Sequence, residues 1–348
     1  MNLFTPFTLG SIKCQNRIGM AAMSRQRCDN KEMIPTQMMK QYYMQRCTAG
    51  FIITEGLPLS LDSIAQDGSS AIFNINQAQA WSEIVEALHQ KGCKIIAQLW
   101  HCGRVTNQIK TPLAPSAIKI RNSKYNEPKE MSIDEIQEVV KQYLECSKLI
   151  KYAGFDGIEI QASSGYLLDS FLKGSANKRT DEYGGCVENR CRIVLEIIDK
   201  LGSVFDIQRI GIKISPITRQ YDSYDPNPKE LYKYLLEQLN QRKVGFIEIR
   251  DDDYPENWLD FGYPSSKSDI ENVFEFCRPL FKGQIIGNGK VTPERGEELI
   301  KKQYCDAITF GRLFTSNPDL VEKIKNGEKL NEVDTSTLLS QGPKGYIC

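Results

Sequence analysis

Residues 154–192 form the stretch of this chain with the clearest potential for chemistry. A short apolar run at 157–160 leads into a loop that contains Tyr166, and an apolar-periodic segment follows the loop. A phenol with a pKa of about 10 is protonated at neutral pH, so a loop tyrosine can donate a proton during a reaction. Taken alone, Tyr166 is more often explained as a packed aromatic ring whose hydroxyl group contacts water.

Two glycine-containing motifs have the composition of a phosphate site. Gly287-Asn288-Gly289 and Gly311-Arg312 each come at the end of a short apolar run. Glycine lets backbone N–H groups approach an anion closely, and arginine adds a charged fork. A single motif of this kind is also typical of a tight turn. Two motifs at the ends of the last two strands of a barrel favour a phosphate site.

Two polar side chains fall inside apolar strand-like segments. A buried ammonium group is costly without a partner, so Lys213 is expected to face an anion, either a ligand or a carboxylate in an ion pair. Gln98 lies near the end of its segment and, taken alone, is typical of an ordinary strand-end amide. His101 lies just beyond that strand, and we interpret it as structural.

The elements that must position these residues alternate along the chain. Eight short apolar runs are predicted as strands, at 16–21, 51–55, 94–99, 157–160, 210–214, 246–250, 284–287 and 307–310. A helical segment follows each strand, and four of these helices have capping signals, at Ser132, Asn227, Thr292 and Asn317. Eight strand–helix alternations predict an α/β fold, a (β/α)8 TIM barrel.

One barrel is enough to account for the whole chain. A barrel of this type takes about 200 to over 400 residues, and this chain has 348. We therefore predict a single domain, residues 1–348, with excursions on the rim at about 104–131 and 251–268.

Composition limits the possible partners. The net charge is zero and the pI is about 6.8, so binding to nucleic acid or an anionic membrane has no electrostatic support. No apolar stretch approaches the roughly 18 residues of a membrane span, and the N-terminal residues do not resemble a signal peptide.

Eleven scattered cysteines indicate reduced thiols and a cytoplasmic protein, and two histidines without a Cys/His cluster predict no metal site.

The motifs together resemble the old yellow enzyme family of FMN-dependent reductases. Phe-Asp-Gly-Ile-Glu-Ile, Gly-Tyr-Leu-Leu, Arg-Thr-Asp-Glu-Tyr-Gly-Gly and Glu-Asn-Arg occur in the family's order and spacing, and the resemblance extends over nearly the whole chain. It implies bound FMN, NADPH or NADH as hydride donor, and reduction of the C=C bond of α,β-unsaturated carbonyl compounds or similar activated alkenes. It also implies that Tyr166 is the proton donor.

The resemblance further implies a set of cofactor-binding residues. They are Ala22, Met23, Ser24, Gly56, Gln98, Lys213, Asn288, Gly289, Gly311 and Arg312. Ser24 would hydrogen-bond the flavin, and Gly56 would let its ring lie flat. Gln98 would pair with the pyrimidine edge. Lys213 stands where the family has an arginine beside the flavin N1 and C2 oxygen.

The substrate site departs from the family pattern. The family holds the substrate carbonyl oxygen with a histidine and a second histidine or an asparagine, and these positions are Gln161 and Ser164 here. Trp100 and Tyr346 are expected to line the same pocket. Alternatives to a reductase are therefore an FMN-containing oxidase, dehydrogenase or redox-neutral isomerase, a non-catalytic flavin-binding or empty barrel, or a phosphate-binding barrel without flavin. The expected partner is a small-molecule substrate, with the protein a monomer or homodimer.

Overall fold

A closed barrel of parallel strands organises the computed structural model, which describes residues 1–28, 30–251 and 269–347. The strands are β1 (Ile18–Met20), β2 (Phe51–Pro58), β3 (Lys94–Trp100), β4 (Gly157–Ala162), β5 (Ile210–Ile214), β6 (Phe246–Asp251), β7 (Gln284–Gly289) and β8 (Ala307–Phe310). Each pairs with its neighbour in sequence, and β8 pairs with β1 through Ile308 and Ile18. The predicted TIM barrel is confirmed.

Helices on the outside of the barrel follow the strands. They are α1 (Gln37–Met44), α2 (Ile75–His89), α3 (Ile133–Ala153), α4 (Val187–Gly202), α5 (Pro228–Gln241), α6 (Val273–Cys277), α7 (Pro293–Lys301) and α8 (Leu320–Asn326). The capping signals at Ser132, Asn227 and Thr292 are confirmed. The expected cap at Asn317 is wrong, because its amide binds the carbonyl oxygens of Leu313 and Asn331 and α8 begins three residues later.

A short antiparallel hairpin closes the N-terminal end of the barrel. Its strands, Phe7–Leu9 and Ile12–Cys14, escaped the sequence analysis because three-residue strands carry little periodic signal. Leu9 and Ile12 pack into one buried cluster with inward-facing residues of several barrel strands, among them Phe51. With this end plugged by apolar side chains, the carboxyl ends of the strands form the open end of the barrel, where barrel enzymes have their active sites.

The rim and the surface bear on the remaining expectations. The excursion at 104–131 contains a two-stranded pair, Leu113–Ala114 with Lys129–Glu130. The excursion at 251–268 lies outside the described residues except for Asp251, and the single-domain assignment stays a prediction. No described helix has the length and apolar character of a membrane span. Ten cysteines are described, and each is a free thiol.

Candidate active site

A cavity of about 960 Å³ opens at the carboxyl ends of the barrel strands. All the predicted site residues except Tyr346 line it: Ala22, Met23, Ser24, Gly56, Gln98, Trp100, Gln161, Ser164, Tyr166, Lys213, Asn288, Gly289, Gly311 and Arg312. Residues that are up to 290 positions apart in sequence therefore meet in one place. The volume is at the upper end of the range for small-molecule and cofactor sites, about 300–1,000 Å³.

One end of the cavity has the donors that a phosphate group requires. Gly289 has φ +102°, and a Cβ there would lie 2.2 Å from the carbonyl oxygen of Asp251, so only glycine fits. Gly311 precedes a short helix, Arg312–Ser316, whose first amide groups have no acceptor within the helix. The exposed Arg312 side chain makes no ion pair with any described residue. Backbone amides and this guanidinium group suit a phosphate.

The phosphate assignment gives a prediction for cofactor affinity. Changing Arg312 to alanine is expected to weaken FMN binding about 10- to 100-fold, because a hydrogen bond to a charged group contributes about 1.5–3 kcal/mol. Fluorescence titration of flavin-free protein would measure the change. Riboflavin, which lacks the phosphate, is the matched control and should bind both proteins equally. A similar loss for riboflavin would place the arginine elsewhere on the ligand.

Two glycines of the cavity wall have neighbouring side chains packed closely against them. A Cβ on Gly56 would lie 2.9 Å from the indole ring of Trp100. A register shift in β2 between Ile53 and Gly56 brings this glycine to the cavity wall. On the other side, a Cβ on Gly311 would lie 3.2 Å from the sulfur atom of Met23. Glycine at both positions lets Trp100 and Met23 pack against the backbone of the cavity wall, and the cavity as a whole has the volume for FMN.

The polar end of the cavity contains an ion pair and an amide. Nζ of Lys213 lies 2.7 Å from Oε2 of Glu248, and Nε2 of Gln98 donates to Oε1 of Glu159 at 2.7 Å. Lys213 therefore pairs with a carboxylate and also lines the cavity, and its contact with the flavin stays a prediction. Sequence reasoning missed Glu159 and Glu248, although an acidic residue within each apolar strand was a usable signal.

Tyr166 stands on the cavity wall among aromatic rings. Its ring packs edge to face against Trp100 at 5.0 Å, and the ring of Tyr221 lies 6.0 Å away. Burial, with smaller contributions from Tyr221 and Tyr125, raises the pKa of Tyr166 above its ordinary value, so the phenol stays protonated. Its hydroxyl group makes no hydrogen bond to any residue that the structure describes. It is therefore available to a ligand.

Two tyrosines missed by the sequence analysis complete this wall. The rings of Tyr125 and Tyr221 meet edge to face at 5.7 Å, and both line the cavity. Tyr125 lies in the 104–131 excursion and Tyr221 in the loop after β5. Neither position has a periodic pattern that would have marked it.

A buried ion pair holds the turn that leads into Tyr166. Lys173 and Asp169 lie 3.1 Å apart, and both side chains are fully buried. Asp169 also accepts hydrogen bonds from the Gly165 amide at 2.8 Å and the Ser223 hydroxyl at 3.0 Å. Gly165 has φ +79°, a conformation that favours glycine. The pair therefore fixes a backbone turn immediately before the tyrosine.

Removing one member of this pair should destabilise the fold. Lys173→Met is expected to lower the free energy of unfolding by about 3–5 kcal/mol, because it leaves the Asp169 carboxylate buried without a counter-charge. Urea denaturation followed by circular dichroism would measure it. The matched control is Lys141→Met, whose exposed pair with Glu138 contributes about 0–1 kcal/mol. Equal effects of the two substitutions would refute the structural role.

The expected substrate-binding side chains lie beside Tyr166. The carbonyl oxygen of Gln161 accepts from the amide and hydroxyl groups of Ser163 at 2.9 and 2.6 Å. These bonds orient the amide so that its NH2 group, which has no partner in the described part of the chain, remains as a donor. The Ser164 amide donates to the Ser215 hydroxyl at 2.9 Å, which fixes its strained backbone at φ +62°.

Arg250 is a further residue of this wall that sequence reasoning missed. Its Nη1 donates to Oγ of Ser164 at 2.5 Å and to Oε1 of Gln220 at 3.1 Å. The signal was present, since Arg250 is a basic residue after an apolar run, one position before the end of β6. A guanidinium donor on the Ser164 oxygen directs the hydroxyl proton away from itself.

The expected position of Tyr346 in the pocket needs correction. Its ring is buried in a parallel stack on Tyr42, with centroids 4.0 Å apart. The guanidinium groups of Arg25 and Arg27 lie 5.3 and 5.0 Å from the ring centroid. Stacking and cation–π contacts hold the tyrosine in this layer. Leu339, from the same C-terminal segment, lines the cavity instead.

Comparison with known proteins agrees with this geometry. Residues 2–331 match the model of the NADH:flavin oxidoreductase / NADH oxidase family. Flavin oxidoreductase hxnT of Emericella nidulans is 37% identical over 99% of this chain and 96% of its own length. The 12-oxophytodienoate reductase 1 of Oryza sativa subsp. japonica is 32% identical, with 98% and 90% covered.

Solved structures of related proteins have the same fold as this chain. Morphinone reductase superposes with a TM-score of 0.92 at 32% identity, covering 99% of this chain and 94% of its own. The old yellow enzyme homologue of Zymomonas mobilis also gives 0.92, at 31% identity, with 99% and 98% covered. Another morphinone reductase structure contains tetrahydroNAD.

Proposed function

This chain belongs to the NADH:flavin oxidoreductase / NADH oxidase family, which includes the old yellow enzymes, and is an FMN-dependent oxidoreductase that uses NAD(P)H. On that premise we propose that it reduces the C=C bond of α,β-unsaturated carbonyl compounds or similar activated alkenes. The observation that carries the proposal is the Tyr166 hydroxyl, which has a raised pKa and no hydrogen-bond partner among the described residues and which lines the same cavity as Gln161 and Ser164.

The proposed reaction divides the work between cofactor and protein. FMN in this cavity would supply a two-electron carrier between NAD(P)H and the second substrate, in a ping-pong sequence of hydride transfers. The alkene would gain the hydride at its β-carbon, and Tyr166 would donate a proton to its α-carbon. A tyrosine whose pKa is raised is fully protonated at neutral pH, which suits it for this step.

The carbonyl oxygen of the substrate needs donors where negative charge develops. Gln161 offers its NH2 group, oriented by Ser163, and Ser164 offers a hydroxyl proton that is directed at the Ser163 oxygen, 3.2 Å away, until a substrate accepts it. Because the Ser164 oxygen already accepts from Arg250, its own O–H is polarised and a stronger donor. The pair can therefore replace two imidazole or amide groups without any group that titrates near neutral pH.

Isotope labelling would test the proposed reaction directly. With cyclohexenone, NADPH or NADH deuterated at the transferred hydride, and ordinary water, mass spectrometry should locate deuterium at the β-carbon of cyclohexanone. With unlabelled nicotinamide in D2O, deuterium should appear at the α-carbon. Rapid flavin reduction without a saturated product would count against the proposal.

The unusual pair Gln161 and Ser164 favours one second candidate. An FMN-containing oxidase, dehydrogenase or redox-neutral isomerase with a specialised substrate would not need to stabilise a simple enolate. Such an enzyme would bind FMN tightly but reduce enones poorly, and the labelling experiment would yield little product.

A further inference from the structure

A buried charge cluster extends from the polar end of the cavity into the barrel. It consists of Glu159, Glu248 and Lys213, and it contacts the cavity through Lys213 and through Gln98, which donates to Glu159. Both carboxyl groups are fully buried, and Lys213 is only 5% exposed. Sequence reasoning assigned a function to Lys213 alone.

The charges in this cluster do not balance if both carboxyl groups are ionised. In the described part of the chain, the charged groups that act on Glu159 are the Glu248 carboxyl and the Lys213 ammonium. Glu248 is the carboxyl group that pairs with Lys213, at 2.7 Å, and it also accepts a hydrogen bond from the Thr309 hydroxyl. One oxygen of Glu159, Oε2, has no hydrogen-bond partner among the described residues. An uncompensated buried carboxylate there is costly.

We propose that the Glu159–Glu248 pair retains one proton, so that the cluster carries no net charge and Lys213 reaches the flavin site as a neutralised cation. Burial and the neighbouring Glu248 carboxyl both raise the pKa of Glu159, in agreement with this. The proposal rests on the placement of FMN in this cavity but not on which alkene is reduced. It makes both glutamates positioning residues that set the electrostatic field on the cofactor.

The net charge of each variant follows from the retained proton. Removing either carboxyl group leaves one carboxylate and one ammonium, so Glu159→Gln and Glu248→Gln both stay neutral but lose the proton. Removing both carboxyl groups leaves Lys213 uncompensated at +1. A positive charge near the flavin favours its two-electron reduction.

The midpoint potential of bound FMN is the first measurement. In each single variant the midpoint potential should stay close to that of wild type. In the double variant the equilibrium constant for flavin reduction should rise about tenfold or more, which corresponds to a midpoint potential higher by about 30 mV or more for a two-electron couple. Adding Lys213→Met to the double variant restores a neutral cluster and should bring the potential back. Circular dichroism and flavin content show whether each variant is folded and loaded.

Infrared difference spectroscopy is the second measurement, because it observes the proton itself. The spectrum of each single variant is subtracted from that of the wild-type holoenzyme at neutral pH. The difference should show the C=O stretch of a buried protonated carboxyl group that the wild type has and both single variants lack. If both carboxyl groups were ionised, this band would be absent. The midpoint potential would then rise by the same amount from wild type to a single variant as from a single variant to the double variant. That outcome would overturn the proposal of a retained proton. It would not bear on the proposed alkene reduction, which the isotope-labelling experiment tests separately.

Discussion

Replacing Tyr166 by phenylalanine should slow reduction of an enone by about 10²–10⁴-fold, the usual contribution of a general acid. Flavin reduction by NAD(P)H should be unchanged, because that half-reaction needs no proton from the phenol. Anaerobic stopped-flow measurement of the two half-reactions separates these effects. Tyr125→Phe removes a hydroxyl group from the same aromatic wall and should leave both rates near wild type.

The pH dependence of the enone half-reaction adds a second readout on Tyr166. The pKa of this acid is raised in the folded protein, so it remains protonated through the ordinary tyrosine pKa of about 10 and loses its proton only above that value. The wild-type rate should therefore not fall as the pH approaches 10. Equal losses in both half-reactions of Tyr166→Phe would exclude the proton-donor role.

The second large effect is expected at Gln161. Gln161→Leu removes the oriented NH2 group and should lower the rate of flavin reoxidation by an enone about 10²–10³-fold, as in other sites that lose one oxyanion donor. Reoxidation by molecular oxygen needs no carbonyl donor and should be unaffected. Ser163→Ala, which removes one of the bonds that orient the amide, should give a smaller loss for the enone.

A uniform fall in both reoxidation reactions would contradict the assignment of Gln161. It would mean that the substitution changes the flavin site itself and not the binding of the enone carbonyl group. Retention of the flavin absorption spectrum in Gln161→Leu is the control for that case.

Local pattern was enough to predict the barrel, because buried parallel strands and amphipathic helices have distinct periods. The bounds of β5 and β8 agree with the predicted runs at 210–214 and 307–310, and the remaining strands differ by a few residues at their ends. The two glycine motifs follow the last two strands and line the cavity, as the sequence indicated, and the phosphate that they are expected to bind stays a prediction.

Contacts between distant parts of the chain were not predictable in the same way. Tyr346 was misplaced because its position depends on Tyr42, Arg25 and Arg27, which are more than 300 residues away in sequence. Arg250 and Glu248 were recognisable as charged residues in an apolar run, but the sequence did not show what they contact. Their importance became visible only when β6 was placed next to Lys213 and across from Ser164.

The measurement that tests the central claim most directly is an anaerobic stopped-flow titration of the purified protein. We predict that it carries FMN, that NADPH or NADH bleaches the flavin absorbance, and that an α,β-unsaturated ketone restores it with formation of the saturated product. A protein that cannot take up FMN, or whose reduced flavin is not reoxidised by any activated alkene in a broad panel, would contradict the account.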